Sequence, residues 1–218
     1  VDLVTRLIRD KKVDGDYSKE KEFIELGARI LRFEFGPEKY LRKELLWPYL
    51  DQLTSQLASF YNNPHNKPNW IHAHYADAGY VGVRLSKILN IPLIFTAHSV
   101  GREKKRRLLD AGLKLNQIEK MYFINKRIQA EEDVLKESSM IVTSTKQELI
   151  HQYSEYKSFD SNKAKVISPG VDHEKFHHVH STTEVSDINN MMNPFLVESS
   201  KPPLLAISRA VRRKNVPF

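Results

Sequence analysis

Two short stretches carry the densest chemistry in this chain. The first, "NWIHAHYADAGY" (69–80), sets His72, His74, Tyr75 and Asp77 directly behind an apolar start. The second, "IPLIFTAHSVGREK" (91–104), releases His98 from an apolar run, turns on Ser99 and Gly101, and places Lys104 one or two turns into a basic helical stretch. A histidine at the end of a buried strand can donate to a sugar hydroxyl, and loop N–H groups together with Lys104 can hold an anion. On a strand, His-x-His points both imidazoles to one face, a geometry open to a metal. No third ligand stands at a recognisable spacing, and the alternative is a pair of histidines lying hydrogen-bonded against the sheet. Asp77 can cap the helix that follows, Gly79 lets its start pack closely, and Tyr75 is left as the ligand contact of the group.

A third stretch, "NKRIQAEE" (125–132), offers Lys126 and Arg127. They can face a phosphate from the side of a cleft, or pair with Glu131 and Glu132 at helical spacing. Arg102, Lys105, Arg106 and Arg107 read as the solvated face of a basic helix. Gly-x-Ser-x-Gly, Gly-x-x-x-x-Gly-Lys-Ser/Thr and Gly-x-Gly-x-x-Gly are all missing from the chain, which removes the usual support for a serine hydrolase, a P-loop NTPase or a dinucleotide dehydrogenase.

The elements that must position these residues follow from the alternation of short Val-, Ile- and Phe-rich runs with stretches of helical period, the pattern of β-α units around a parallel sheet. Strands are expected near 2–8, 28–33, 70–74, 92–97, 139–143, 164–168 and 203–207. Leu46, Leu50, Leu53, Leu57 and Phe60 recur at three- and four-residue steps and predict one buried face of a long helix, with Pro48 near its first turn. Val81, Leu85 and Ile88 repeat the pattern, and Thr145 three residues before Glu148 predicts a capping box. In open parallel sheets ligands bind beyond the carboxyl ends of the strands, where both histidine-bearing stretches fall. Residues 181–194 lose period and read as a connector, so one domain is expected over 1–195 and the start of a second over 196–218.

The chain has 218 residues and no cysteine, which rules out disulfides and thiolate zinc sites within it. No apolar run reaches the roughly 18 residues of a membrane helix. Lys and Arg number 34 against 27 Asp and Glu, for a net charge of +7. The basic residues are dispersed and no aromatic-interleaved tract of the RNA-binding kind occurs, so the expected partners are phosphate-bearing small molecules, with no nucleic acid and no membrane. A cytosolic setting is expected from the missing cysteines and signals, and both ends read as cut from a longer protein.

Taken in order, "VDLVTR", "GARILRFEFGPEKYLRKELLWPYL", "IHAHYADAG", "FTAHSVGREK", "KRIQAEEDVLKESSMIVTSTKQEL", "KVISPGVDHEKF" and "LLAISRAVRRKN" closely resemble the sucrose-phosphate synthases, glucosyltransferases of the GT-B fold. The resemblance runs from one end of the chain to the other. It implies an α/β fold with a Rossmann-like parallel sheet flanked by helices, forming an acceptor domain, and only the first strand of a second, nucleotide-sugar-binding domain. It implies transfer of glucose from UDP-glucose to fructose 6-phosphate with retention, giving sucrose 6-phosphate, and no metal or cofactor. Matched position by position, Lys43, Lys104 and Arg127 hold the fructose phosphate, with Lys126 sharing the role; Tyr75 and His98 line the cleft where the sugars meet; and Arg209 with Lys214 neutralises the leaving diphosphate. No carboxylate pair of the retaining-glycosidase kind is evident, so leaving-group stabilisation becomes the main catalytic device. Ala210 and Val211 depart from the family pattern, which usually has Pro or Leu and then an acidic residue there. The family's glycine-rich loop and its downstream Glu-containing donor motif fall outside this sequence, so the chain alone is expected to be inactive. The readings that compete are a relative with another donor or acceptor, such as a sucrose synthase or a mannosylfructose-phosphate synthase, a non-catalytic sugar-phosphate-binding module, and a nucleic-acid binder.

Overall fold

Residues 93–96 (β5) are the most deeply buried strand among the described residues: Leu93 is 1 % and Phe95 0 % exposed, the mark of a strand covered on both faces. In this computed structural model, which describes residues 1–174, 176, 186 and 189–195, β5 lies between β4 (Ile71–His74) and β6 (Met140–Thr143), and β7 (Ala164–Val166) completes a four-stranded sheet in the order β4-β5-β6-β7. Every pairing in it is parallel. The expected α/β class and its parallel sheet are therefore present.

A separate three-stranded sheet has the order β1-β3-β2. In it β1 (Asp2–Arg6) runs parallel to β3 (Ala28–Phe33), apart from the main sheet in which the sequence pattern put both, while β2 (Lys21–Glu25) pairs antiparallel with β3 through a turn at Gly27, φ +81°. Sequence reasoning missed β2, because Phe23 and Ile24 are exposed at the sheet edge and the strand carries no buried alternation. The expected strand 2–8 ends at Arg6; Leu7 and Ile8 are buried, and their N–H groups donate to the carbonyls of Phe33 and Tyr17.

Helix α1 (Leu50–Tyr61) starts later than the period suggests, after two 3-10 turns at Lys43–Leu45 and Trp47–Tyr49. Pro48 sits at the start of the second turn, where a missing N–H costs little. Leu50, Leu53 and Leu57 meet Val81, Leu85 and Leu89 of α2 (Tyr75–Leu89) in one core with Trp47 and Phe35. Each fully buried leucine contributes about 1.5–3 kcal/mol. Ile88, expected on that face, is 59 % exposed; Leu89 takes the core side of the last turn.

The second core joins Leu93, Phe95 and Ile141 to Val83 of α2 and to Val134 and Leu135 of α5 (Ile124–Glu137). Gly79 admits this contact, since a Cβ there would stand 3.1 Å from Phe95 and 3.3 Å from Val134. Helices α3 (Gly101–Asp110) and α4 (Leu115–Tyr122) fill the connection from β5 to α5, and α6 (Lys146–His151) follows β6. Thr145 caps α6 as expected, its hydroxyl accepting from the Glu148 N–H at 3.1 Å, while the Glu148 carboxylate accepts from the N–H of Ser144.

The chain divides into two units, Val1–Pro169 and Gly170–Phe218. In the second, a 3-10 turn spans Asn193–Phe195. The expected strand at 203–207, with Arg209 and Lys214, lies outside the described residues.

Candidate functional site

The register of β4 on β5 sets His74 beside Thr96, so both strands deliver their last residues to the same place. His72 and His74 share a face, with ring centroids 4.2 Å apart, as strand alternation requires. His72 Nε2 lies 2.9 Å from Thr96 Oγ1, and His74 Nδ1 lies 2.8 Å from His98 Nε2. Tyr75 closes the stack, its ring 4.7 Å from His98. Burial first, and then the neighbouring imidazoles, hold His72 and His74 below the usual histidine range.

Both strand exits are bent. Tyr75 has φ +69° and His98 φ +55°, the left-handed region that side chains other than glycine rarely enter. Such positions cost about 1–3 kcal/mol each and cluster at functional sites. Here they aim two rings into one cluster. His72 and His74 are each hydrogen-bonded to residues of β5 and its exit, Thr96 and His98, and among the described residues no group of three or more His, Cys, Asp or Glu side chains is arranged to hold a metal ion.

Beside this cluster, Lys43, Glu44, Tyr75, Asp77, Lys104, Tyr122 and Arg127 line one pocket together with Trp47 and Ala76. The Lys43 ammonium stands 5.3 Å from the centre of the Tyr75 ring. Lys104 Nζ lies 3.3 Å from Glu44 Oε1 and 3.9 Å from the centre of the Tyr122 ring. Burial pulls the Lys104 ammonium below its ordinary range, against the opposing pull of Glu44. For Glu44, burial works to raise the carboxyl, but its own backbone N–H and Lys104 outweigh it and leave the group below the usual carboxylate range. Burial pushes Asp77 up, only partly offset by the N–H groups of the helix start and by Lys43 and Arg127.

Arg127 is buried and mostly committed. Its Nε donates to Glu131 at 2.9 Å and its Nη2 to the Ser99 carbonyl at 2.6 Å, while Nη1 makes no protein hydrogen bond among the described residues. Of the two readings of this residue, the pairing with Glu131 is present, and the same side chain also lines the pocket. Glu131 also accepts from the Gly101 N–H at 2.8 and 3.0 Å and from the Tyr156 hydroxyl. The Arg102 N–H donates to Tyr156 Oη at 3.1 Å. This corrects the expectation that the turn's N–H groups are free for an anion: a buried carboxylate and a phenol already take the first two of α3.

Four of the sequence-derived contacts, Lys43, Tyr75, Lys104 and Arg127, thus share one pocket, and His98 adjoins it through Tyr75. Lys126 does not line it; its ammonium lies 5.7 Å from the Trp47 ring and 5.9 Å from the Tyr80 ring. Arg102, expected to be solvated, pairs with Glu132 at 2.8 Å. Glu44 and Tyr122 went unread, since nothing local announces that residues so far apart in sequence meet at Lys104. Glu131 had a signal, its i, i+4 spacing from Arg127.

Residues 1–193 match the family model described as the sucrose synthase first GT-B domain. The chain belongs to that glycosyltransferase family. Relatives of this GT-B domain include a probable sucrose-phosphate synthase of Solanum tuberosum, 33 % identical over 99 % of this chain and 26 % of its own length. Probable sucrose-phosphate synthase 2 of Arabidopsis thaliana is 32 % identical over the same shares. The chain therefore spans about a quarter of these relatives. The solved sucrose-phosphate synthase of Thermosynechococcus elongatus has the same fold, with TM-score 0.67 and 19 % identity over 88 % of this chain and 42 % of that one. No helix among the described residues of this GT-B domain is long and apolar enough to cross a membrane.

Proposed function

We propose that this chain is the acceptor-binding part of a retaining glucosyltransferase that moves glucose from UDP-glucose to fructose 6-phosphate, giving sucrose 6-phosphate and UDP in the cytosol. The observation that carries the reading is the convergence of Lys43, Lys104 and Arg127 on one pocket at the carboxyl ends of β4 and β5. A phosphate ester is a dianion that wants several fixed cations, and the Lys43 ammonium and Arg127 Nη1 have no ion-pair or hydrogen-bond partner among the described residues. Tyr75 and His98 then face the sugar rings, as donors or acceptors to hydroxyls.

In the reaction the acceptor hydroxyl oxygen bonds to the anomeric carbon as the bond from that carbon to the diphosphate breaks. The hydroxyl proton passes to the departing diphosphate. Arg209 and Lys214 are assigned to that diphosphate, where fixed cations stabilise the charge that develops. Lys126, held over Trp47 and Tyr80, is assigned no phosphate contact. The names of the relatives support the substrate class.

The test is calorimetric titration of the chain with fructose 6-phosphate and with plain fructose, beside Lys104→Ala. The expected result is a preference for the phosphate ester that falls by about tenfold or more in the variant, the worth of one charge-assisted contact. Equal binding of the two sugars would replace this reading with a free-fructose acceptor.

A further inference from the structure

Two carboxylates line the pocket, Asp77 and Glu44, and among the described residues Glu44 is the one that forms an ion pair with a pocket cation. Its carboxylate, with a side chain 14 % exposed, is fixed by the 3-10 turn Lys43–Leu45 and reaches Lys104 across the pocket, 60 residues on in sequence. The contact is 3.3 Å long, at the loose end for a charged hydrogen bond. Lys104 is also held from outside this pair, by the face of Tyr122. The ammonium therefore has a second contact that does not involve Glu44.

Resting on the acceptor reading above, we infer that Glu44 is a specificity-determining residue: it occupies the anion position on Lys104 and so makes the pocket refuse free inorganic anions. Any anion that reaches Lys104 meets a fixed carboxylate within a few ångströms, in a setting where water screens poorly. Inorganic phosphate has only the cations to offset that repulsion. A sugar phosphate adds ring contacts to Tyr75 and its neighbours, and its polyol can donate hydroxyls to Glu44 itself, turning a repelling group into an acceptor. Glu44 thereby ties binding to the sugar as well as to the phosphate. Discrimination of this kind, by penalty against the wrong ligand, is a general route to specificity.

The test is titration of the chain with inorganic phosphate and with fructose 6-phosphate in wild type, Glu44→Gln, Glu44→Asp and Lys104→Ala, with the thermal midpoint of each measured alongside. In Glu44→Gln, which keeps a side-chain oxygen for Lys104 but no charge, inorganic phosphate should bind about tenfold more tightly and the preference for the sugar ester should shrink. Glu44→Asp retains the charge and should keep the wild-type refusal of phosphate, which also separates charge from folding should the amide variant lose stability. If Lys104→Ala weakens the ester while Glu44→Gln leaves phosphate affinity within twofold of wild type or lowers it, the inference about Glu44 is wrong and the acceptor reading stands. If Lys104→Ala leaves ester binding untouched, the acceptor site itself is misplaced and the inference falls with it.

Discussion

Arg127 and Glu131 lie one turn apart on α5 and pair at 2.9 Å with side chains only 9 % and 1 % exposed. A pair so removed from water stabilises the fold only while both partners remain, because losing one strands the other as an uncompensated charge. Glu131 also holds the Gly101 N–H and the Tyr156 hydroxyl, so its loss leaves three donors without an acceptor. Glu131→Ala is expected to cost about 3–5 kcal/mol. Glu131→Gln keeps one oxygen and should cost less. Urea denaturation of both variants checks this; a loss below about 1 kcal/mol for the alanine variant, the scale of an exposed ion pair, would show that Glu131 is not the hub described.

The close approach of α3 to this carboxylate depends on Gly101. A Cβ added there would stand 2.7 Å from Glu131 Oε2 and 2.9 Å from Ile128 Cγ1. Neither group can retreat freely, since Ile128 packs against the second core and Glu131 is bonded on several sides. Gly101→Ala should therefore cost about 1–3 kcal/mol, as overpacked cores do. It should also weaken fructose 6-phosphate binding, because displacing Glu131 moves Arg127. An unaltered urea midpoint would mean that the turn relaxes without strain.

Much of this arrangement was legible in advance, and the reasons for what was not are physical. Apolar period placed β4, β5, β6 and the buried faces of α1 and α2, because those residues are buried by elements whose spacing is local. β2 was illegible because it is an edge strand whose exposed Phe23 and Ile24 obey no burial rule. In the site, Lys104 could be read from its place after a strand exit and Arg127 from its helical stretch, whereas Lys43 came only from the family resemblance. The carboxylate partners could not be read, except where the helix fixed the spacing: Glu131 stands four residues from Arg127, whereas Glu44 meets Lys104 only through the tertiary fold.

The histidine cluster predicts an acid-sensitive fold. Burial and the neighbouring imidazoles hold His72 and His74 below 6.5 in the folded chain, while unfolding returns them to about 6.5. Between the folded values and 6.5 the unfolded chain binds more protons, so this contribution to stability is complete above 6.5 and is lost as pH falls below it. The thermal midpoint should drop between pH 7.5 and pH 5.5, and the drop should be shallower in a His72→Gln, His74→Gln double variant. Parallel pH profiles for the two proteins would remove the cluster from the account.

Lys43 and Lys126 give the sharpest contrast within the site. Both are exposed lysines over aromatic rings, and the resemblance assigned both to the acceptor phosphate. Only Lys43 lines the pocket, 5.3 Å from the Tyr75 ring, whereas Lys126 rests over Trp47 and Tyr80. A lysine that meets the phosphate contributes a charge-assisted bond of about 1.5–3 kcal/mol, so Lys43→Ala should weaken fructose 6-phosphate binding about tenfold to a hundredfold. Lys126→Ala should change that affinity by less than about threefold, since a cation over exposed rings is worth roughly 0.5–1 kcal/mol and none of it depends on ligand. Calorimetry on the two variants decides the matter: comparable losses would place Lys126 in the phosphate site when ligand is bound, and no loss for either would move the phosphate away from the turn that carries Lys43.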